Sequence, residues 1–192
     1  MSPADRAFPV AAIIVGAGAG TRFGGPKAAA TLPDGRRFVD AVTETAAAAG
    51  CDPVIAVLPA EVECPTGAQA VRNAKPGSEQ VVSVRLALAQ LVGQPSIGAL
   101  LWPVDHPFVS LESVLAVLDA ARRTEAPIVL PVHNGRRGHP AFFHRDVWRE
   151  LMTVADGGAR GVIRAYGERV AEVVVRDRGV LRDIDTRADL ED

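Results

Sequence analysis

Short apolar runs alternate along this chain with stretches of helical period. Residues 10–15 (VAAIIV), 53–58 (PVIAVL), 99–104 (ALLWPV) and 127–132 (PIVLPV) are apolar almost throughout, the pattern of strands covered on both faces. Between them, residues 39–49 are alanine-rich and stop at Gly50, and residues 78–91 place Val81, Val84, Leu88 and Leu91 at helical spacing. Residues 111–123 read as a third helix with Ser110 as N-cap. Shorter helices are expected at 145–152 and 158–165, strands at 169–175 and 180–184, and a last helical turn after Thr186. Strand–helix alternation of this kind predicts an α/β fold with an open, mostly parallel sheet and helices on both faces. No repeat or low-complexity linker interrupts it, so residues 1–192 read as a single domain.

Composition narrows the classes of function. A chain of 192 residues buries about 70% of its unfolded surface in one core. Its formal net charge of -2 lacks the basic excess of a nucleic-acid binder. Two cysteines, Cys51 and Cys64, are too few for a disulfide framework or a zinc site, and fit a reducing cytoplasm. No apolar run approaches the ~18 residues of a membrane span, and the N-terminus lacks the order of a signal peptide, so a cytoplasmic protein without membrane attachment is expected.

The chemistry is concentrated in residues 15–27, VGAGAGTRFGGPK, where five glycines, Arg22 and Lys27 follow the first strand. Glycines let backbone N–H groups approach an anion, and the two cations add charge at the same place. A dinucleotide fingerprint requires a third glycine where Thr21 or Phe23 stands. A P-loop requires glycine before Lys27 and Ser or Thr after it, where Pro26 and Ala28 stand. The letters instead fit G-x-G-x-R-x-G-x-P-K from Gly18 to Lys27.

This segment resembles the signature loop of the MobA-like nucleotidyltransferases. Four further segments resemble that family in the same order: Asp105-His106-Pro107-Phe108-Val109, Gly138-His139-Pro140, Asp156-Gly157-Gly158-Ala159-Arg160, and Asp183-Ile184-Asp185-Thr186 with Ala188-Asp189-Leu190. The resemblance implies a three-layer, Rossmann-like nucleotide-diphospho-sugar transferase fold. It also implies transfer of a nucleoside monophosphate from a triphosphate to a phosphorylated acceptor, with release of pyrophosphate. Molybdopterin or its molybdenum-loaded form is the acceptor it suggests, with a molybdoenzyme or its chaperone as a partner. Ala17-Gly18 matches the cytosine-type ending of the base-contacting stretch, so CTP is expected over GTP, although Gly16 stands where the family commonly has alanine.

Transfer of this kind needs a phosphate cradle, a divalent ion and positive charge for the transition state. The backbone of 18–24 is the expected cradle. Arg22 can grip phosphate with two N–H groups, and Lys27 suits the α-phosphate. Asp105 closes an apolar strand, where a carboxylate is well placed to hold Mg2+, or Mn2+ in its stead. Of Asp183 and Asp185 one is expected as second ligand. The resemblance favours Asp183, with Asp185 capping the final helix. It also places nucleotide contacts at Ala17, Gly18, Gly20, Asn73 and Ser83, and an acceptor contact at His139. The basic loop 133–138 suits an anionic acceptor. An attacking phosphate monoester is largely dianionic at neutral pH, so no general base is required. Other readings remain: another phosphorylated acceptor, a non-catalytic nucleotide-binding module, or an NAD-dependent oxidoreductase with Asp40 as its acidic residue.

Overall fold

β1 (Val10–Val15) is buried at all six positions because parallel neighbours flank it on both edges: β2 (Val54–Leu58) on one side and β4 (Gly98–Pro103) on the other. The computed structural model describes residues 8–18, 20–21, 23–74 and 80–191. Between and after these strands lie α1 (Phe38–Ala48), β3 (Gln69–Arg72), α2 (Gln80–Gln90), α3 (Leu111–Thr124), β5 (Ile128–His133), β6 (Arg136–Arg137) and β7 (Ala141–His144). α4 (Trp148–Thr153), α5 (Gly158–Tyr166) and β8 (Val170–Val174) complete the set. The sheet runs β3-β2-β1-β4-β7-β5-β6, with β8 paired to β5. β7 lies antiparallel between β4 and β5, whereas β1, β2, β3 and β4 pair in parallel.

Strand alternation divides the core in two. Ala12, Ile14, Ala56, Leu100, Trp102 and Phe142 face α1 and α3. Their neighbours Ala11, Ile13, Val15, Ile55, Leu101 and Phe143 face α2, α4 and α5. Helices on both faces of one open sheet are the three layers expected from the sequence. Register then positions the site: Val15 pairs with both Val57 and Pro103, so the chain leaves β1 and β4 at the same level.

Ser110 caps α3 as expected, its Oγ accepting from the Ser113 N–H at 3.2 Å. The expected strand at 180–184 is absent. Asp177 Oδ1 accepts from the Gly179 N–H at 2.7 Å and starts a 3-10 turn, Arg178–Leu181, after which the chain runs on without strand pairing. Its backbone bonds go to loops instead: Ile184 N–H donates to the Asp105 carbonyl at 2.8 Å, and the Val180 carbonyl accepts from His139 N–H at 2.8 Å. β3, β6 and β7 were not anticipated. No helix among the described residues is long and apolar enough to cross a membrane.

Gly98 tests the tightness of the β4–β7 contact. A Cβ there would lie 2.4 Å from the Phe142 ring and 2.9 Å from the Phe143 carbonyl oxygen. Because Phe142 is fully buried, Gly98→Ala is expected to destabilise the fold by roughly 1–3 kcal/mol. Urea unfolding would measure it, and an unchanged midpoint would mean that the ring has room to move.

Candidate active site

The chain leaves β1 at Val15 with its carbonyl accepting from Val104 N–H at 3.0 Å, and the Gly16 N–H donates to the Val57 carbonyl at 2.9 Å. These two bonds fix the start of the glycine loop against both neighbouring strands. Gly20, at φ +55°, closes the loop: its carbonyl accepts from the N–H groups of Phe23, Gly24 and Gly25 at 2.9–3.2 Å. A side chain at Gly20 would strike the Gly25 carbonyl oxygen, only 1.9 Å from an added Cβ. The N–H groups of 23–25 are thus spent on the loop itself, and the cradle is shorter than the expected 18–24. Pro26 then leads into a 3-10 turn, Lys27–Ala29, that begins with Lys27.

Lys27 holds the site together. Its Nζ donates to Asp105 Oδ2 at 3.2 Å and to Asp185 Oδ1 at 2.5 Å. Burial alone would lower its pKa, but the hydrogen bond to Asp185 and the charge of Asp105 outweigh it and raise the pKa above 10.5. The ammonium is therefore permanent at physiological pH. Asp105 sits in a rigid turn after β4, where Trp102 Nε1–H donates to the His106 carbonyl at 3.1 Å and His106 N–H to the Pro103 carbonyl at 3.2 Å. Its second oxygen, Oδ1, is buried and has no hydrogen-bond partner among the described residues.

Beside this cluster lies a cavity of about 190 Å³ lined by Gly16, Ala17, Gly18, Gly20, Lys27, Ser83, Val104 and Asp105, among others. It sits beyond the carboxyl ends of β1 and β4, where open α/β sheets take their ligands. Ala17, Gly18, Gly20, Lys27, Ser83 and Asp105 are thus brought together as the sequence suggested. Asn73 stands behind them, its Nδ2 donating to Ser83 Oγ at 3.1 Å with both side chains buried. Arg85 turns to the Val154 carbonyl and braces α2 against the α4–α5 connection. Arg22 lies outside the described residues.

The structure departs from four expectations about surroundings. Asp185, and not Asp183, shares Lys27 with Asp105; Asp183 is exposed and lines a separate cleft. Asp185 does not cap the last turn. The N-cap of that turn, Ala188–Leu190, is Arg187, whose side chain makes no capping bond; Asp189 within the turn accepts through Oδ2 from the N–H groups of Asp185 and Thr186 at 2.9 and 2.6 Å, while the Asp185 carboxylate bonds Lys27. His139 packs its ring 4.7 Å from that of His106 and is not among the residues lining either cleft. Burial, with His106 and Arg160 adding to it, pushes the His139 pKa down to about 3, so it is a neutral ring and not a cationic phosphate contact. Asp40 is occupied by the Arg37 guanidinium at 2.6 and 2.7 Å in the first turn of α1, which removes it as the acidic partner of a dinucleotide.

A slot floored by glycines after β1, lined by Lys27 and Asp105 with Asp185 bonded to that lysine, suits a nucleoside triphosphate. Residues 12–170 match the family model described as the MobA-like NTP transferase domain. The chain belongs to this family. It is therefore a nucleotidyltransferase, which handles a nucleoside triphosphate and a phosphorylated acceptor. It is 23% identical over 190 residues to a protein of Rhodopirellula baltica named "Probable molybdenum cofactor guanylyltransferase", covering 95% of this chain and 90% of that one. Among solved structures, Rv0371c from Mycobacterium tuberculosis superposes with a TM-score of 0.82 at 25% identity, covering 97% of each chain. The manganese complex of Rv0371c superposes with a TM-score of 0.75 at 24% identity, again covering 97% of each.

The Lys27 cluster has a signature in pH. A raised lysine pKa contributes stability that is fully present below 10.5 and is lost as pH rises through the folded value. Asp185→Asn is expected to cost about 1 kcal/mol at pH 8, modest because the Asp185 side chain is 34% exposed. The gap to the parent protein should shrink above pH 10.5. Urea unfolding at pH 8 and 11 measures both, and a gap independent of pH would exclude the ion pair as its source.

Proposed function

We propose that this transferase joins a nucleoside monophosphate, from CTP, to molybdopterin or its molybdenum-loaded form, in a reaction dependent on Mg2+ or Mn2+. The observation that carries the reading is Lys27 held between Asp105 and Asp185 at the open end of the glycine slot. Residues 1–192 then form one catalytic domain, with the triphosphate along Gly18 and Gly20 and the base toward Ala17 and Ser83.

The donor set fits a hard divalent ion. Among the described residues Asp105 Oδ1 is a buried carboxylate oxygen without a hydrogen-bond partner, and Asp185 brings a second carboxylate to the same ammonium. Magnesium bound to nucleotide phosphates takes one or two protein carboxylates and completes its shell with water and phosphate. Asp105 and Asp185 would hold the ion, which when bound would neutralise phosphate charge. The manganese bound by the structurally similar Rv0371c is in keeping with this.

The acceptor's phosphate dianion attacks the α-phosphorus in line. The new P–O bond forms as the bond to the β-phosphate breaks, and pyrophosphate departs with the electron pair. Lys27 stands where the α-phosphate oxygens gather charge. Its ammonium is prepositioned, so little reorganisation is required.

Preference for CTP rests on Ala17-Gly18 and on the small slot. Gly16 does not widen it: a Cβ there would point at Ala28 Cβ, 3.0 Å away, and Leu58 Cδ2, 3.1 Å away. GTP is the competing reading, favoured by the name of the Rhodopirellula relative.

Two measurements test the assignment. With molybdopterin and Mg2+, pyrophosphate release should be faster with CTP than with GTP, UTP or ATP; faster release with GTP would overturn the base and keep the chemistry. Lys27→Ala should lose on the order of 1.5–3 kcal/mol of transition-state stabilisation, about 10–150-fold in rate. Asp105→Asn should abolish turnover, and Asp185→Asn should raise the metal requirement more than Asp183→Asn does. The reverse order would return the second ligand to Asp183.

A further inference from the structure

A second cleft, of about 520 Å³, lies where the turn between β5 and β6 meets the segment that carries Asp185. Arg136, Arg178, Arg182, Asp183 and Asp189 line it, with His133 and Asn134 at the β5 end. Among the described residues the lining thus carries both guanidiniums and carboxylates, and the local bonding tells them apart. Arg182 is pinned by neutral partners: its Nη2 donates to the Asp189 carbonyl at 2.7 Å, and its guanidinium lies 4.2 Å from the centre of the Phe108 ring. Among the described residues no carboxylate forms an ion pair with it. Arg137 next door is paired with Glu172 at 2.7 Å, whereas Arg136 has no carboxylate partner among the described residues. The Asp189 carboxylate is already engaged by the N–H groups of Asp185 and Thr186. A prepositioned, uncompensated guanidinium is a site for an anion.

This cleft and the nucleotide slot share one strip of chain. Asp183 lines the cleft, and Asp185, two residues on, bonds Lys27. Two residues of extended chain span about 7 Å, so one small molecule can reach both places. We propose that the cleft seats the body of the acceptor, and that the acceptor carries a second acidic group, on the order of 10 Å from the phosphate that attacks. Arg182 and Arg136 hold that group. The inference rests on the transferase reading and narrows its substrate class: acceptors with a single anionic group leave these guanidiniums unused.

The test uses the full chain with its nucleotide slot filled by Mn2+ and a non-hydrolysable CTP analogue. Fructose 1,6-bisphosphate and fructose 6-phosphate are titrated by calorimetry as two-anion and one-anion probes. The bisphosphate is expected to bind at least 10-fold tighter, and Arg136→Glu and Arg182→Gln should each erase that preference while leaving the monophosphate unchanged. Affinity for the CTP analogue reports whether each variant is folded, and Arg136, on an exposed turn, is the safer of the two. Equal binding of the two probes to the parent protein overturns the proposal, as does a preference that survives both substitutions. Inorganic phosphate provides a third arm. If it binds in an Arg136-dependent way while the bisphosphate gains nothing, the cleft is a separate effector site and the acceptor assignment falls. Failure of molybdopterin as a substrate, with the bisphosphate preference intact, would overturn the acceptor's identity and leave the cleft's role standing.

Discussion

One ammonium between two carboxylates is the constraint around which this molecule is arranged. Lys27 and Asp105 lie 78 residues apart in sequence, and Lys27 and Asp185 lie 158 apart. Partly buried charges of this kind are tolerable only when each meets an opposite charge or a hydrogen-bond donor. Lys27 bonds both carboxylates, and Asp105 Oδ1 is left buried without a hydrogen-bond partner among the described residues. A buried carboxylate oxygen beside a second carboxylate is a donor set that suits a hard divalent ion, which is the basis for proposing one there.

Meeting that constraint requires the C-terminal segment to lie against the Asp105 loop, and several residues are chosen for it. Asp177 bridges the two, accepting from Ser110 N–H at 2.8 Å, Ser113 Oγ–H at 3.0 Å and Gly179 N–H at 2.7 Å. Although burial alone would raise its pKa, these bonds hold the Asp177 carboxyl below 3.8, so the clasp persists through neutral pH and loosens only in acid. Close approach does the rest. A Cβ at Gly179 would lie 2.3 Å from the Phe108 carbonyl oxygen, and one at Gly138 would lie 2.3 Å from that of Val180. The Gly138-His139-Pro140 segment therefore acts first as a seat for the chain that carries Asp185. His139, neutral and packed on His106, belongs to that seat.

Much of this was legible in the chain, and the remainder was hidden for physical reasons. Continuous apolar runs mark strands buried on both faces, which is why β1, β2, β4 and β5 stood out. β3 reads QAVR, is largely exposed at the sheet edge, and carries no such signal. β7 has four residues, too short for periodicity to show, although Ala141, Phe142 and Phe143 are buried in mid-sheet. Lys27 and Asp105 could be read because glycines and an apolar strand end point to them. The choice between Asp183 and Asp185 could not, because it depends on Asp189, and not Asp185, accepting from the N–H groups of Asp185 and Thr186. That exchange is a matter of hydrogen-bond accounting in three dimensions. The Arg182 site was hidden likewise, since its pinning by Phe108 joins residues remote in sequence.

Placing both clefts against one strip of backbone has a consequence for the order of events. Asp185 reaches Lys27 on one side, while Asp183 and Arg182 line the cleft proposed for the acceptor on the other. A ligand that draws Lys27 toward a phosphate weakens its bond to Asp185 and changes the charge balance on which the strip rests. Occupancy of the nucleotide slot is thereby coupled to the strip that shapes the acceptor cleft, and linkage requires the coupling to be reciprocal. Its magnitude is bounded by the interactions available. A single charge-assisted hydrogen bond of about 1.5–3 kcal/mol caps the effect at roughly 10–150-fold in affinity. Being reciprocal, the coupling sets no order by itself; the order follows from the chemistry, since the acceptor's phosphate has nothing to attack until the α-phosphorus is in place.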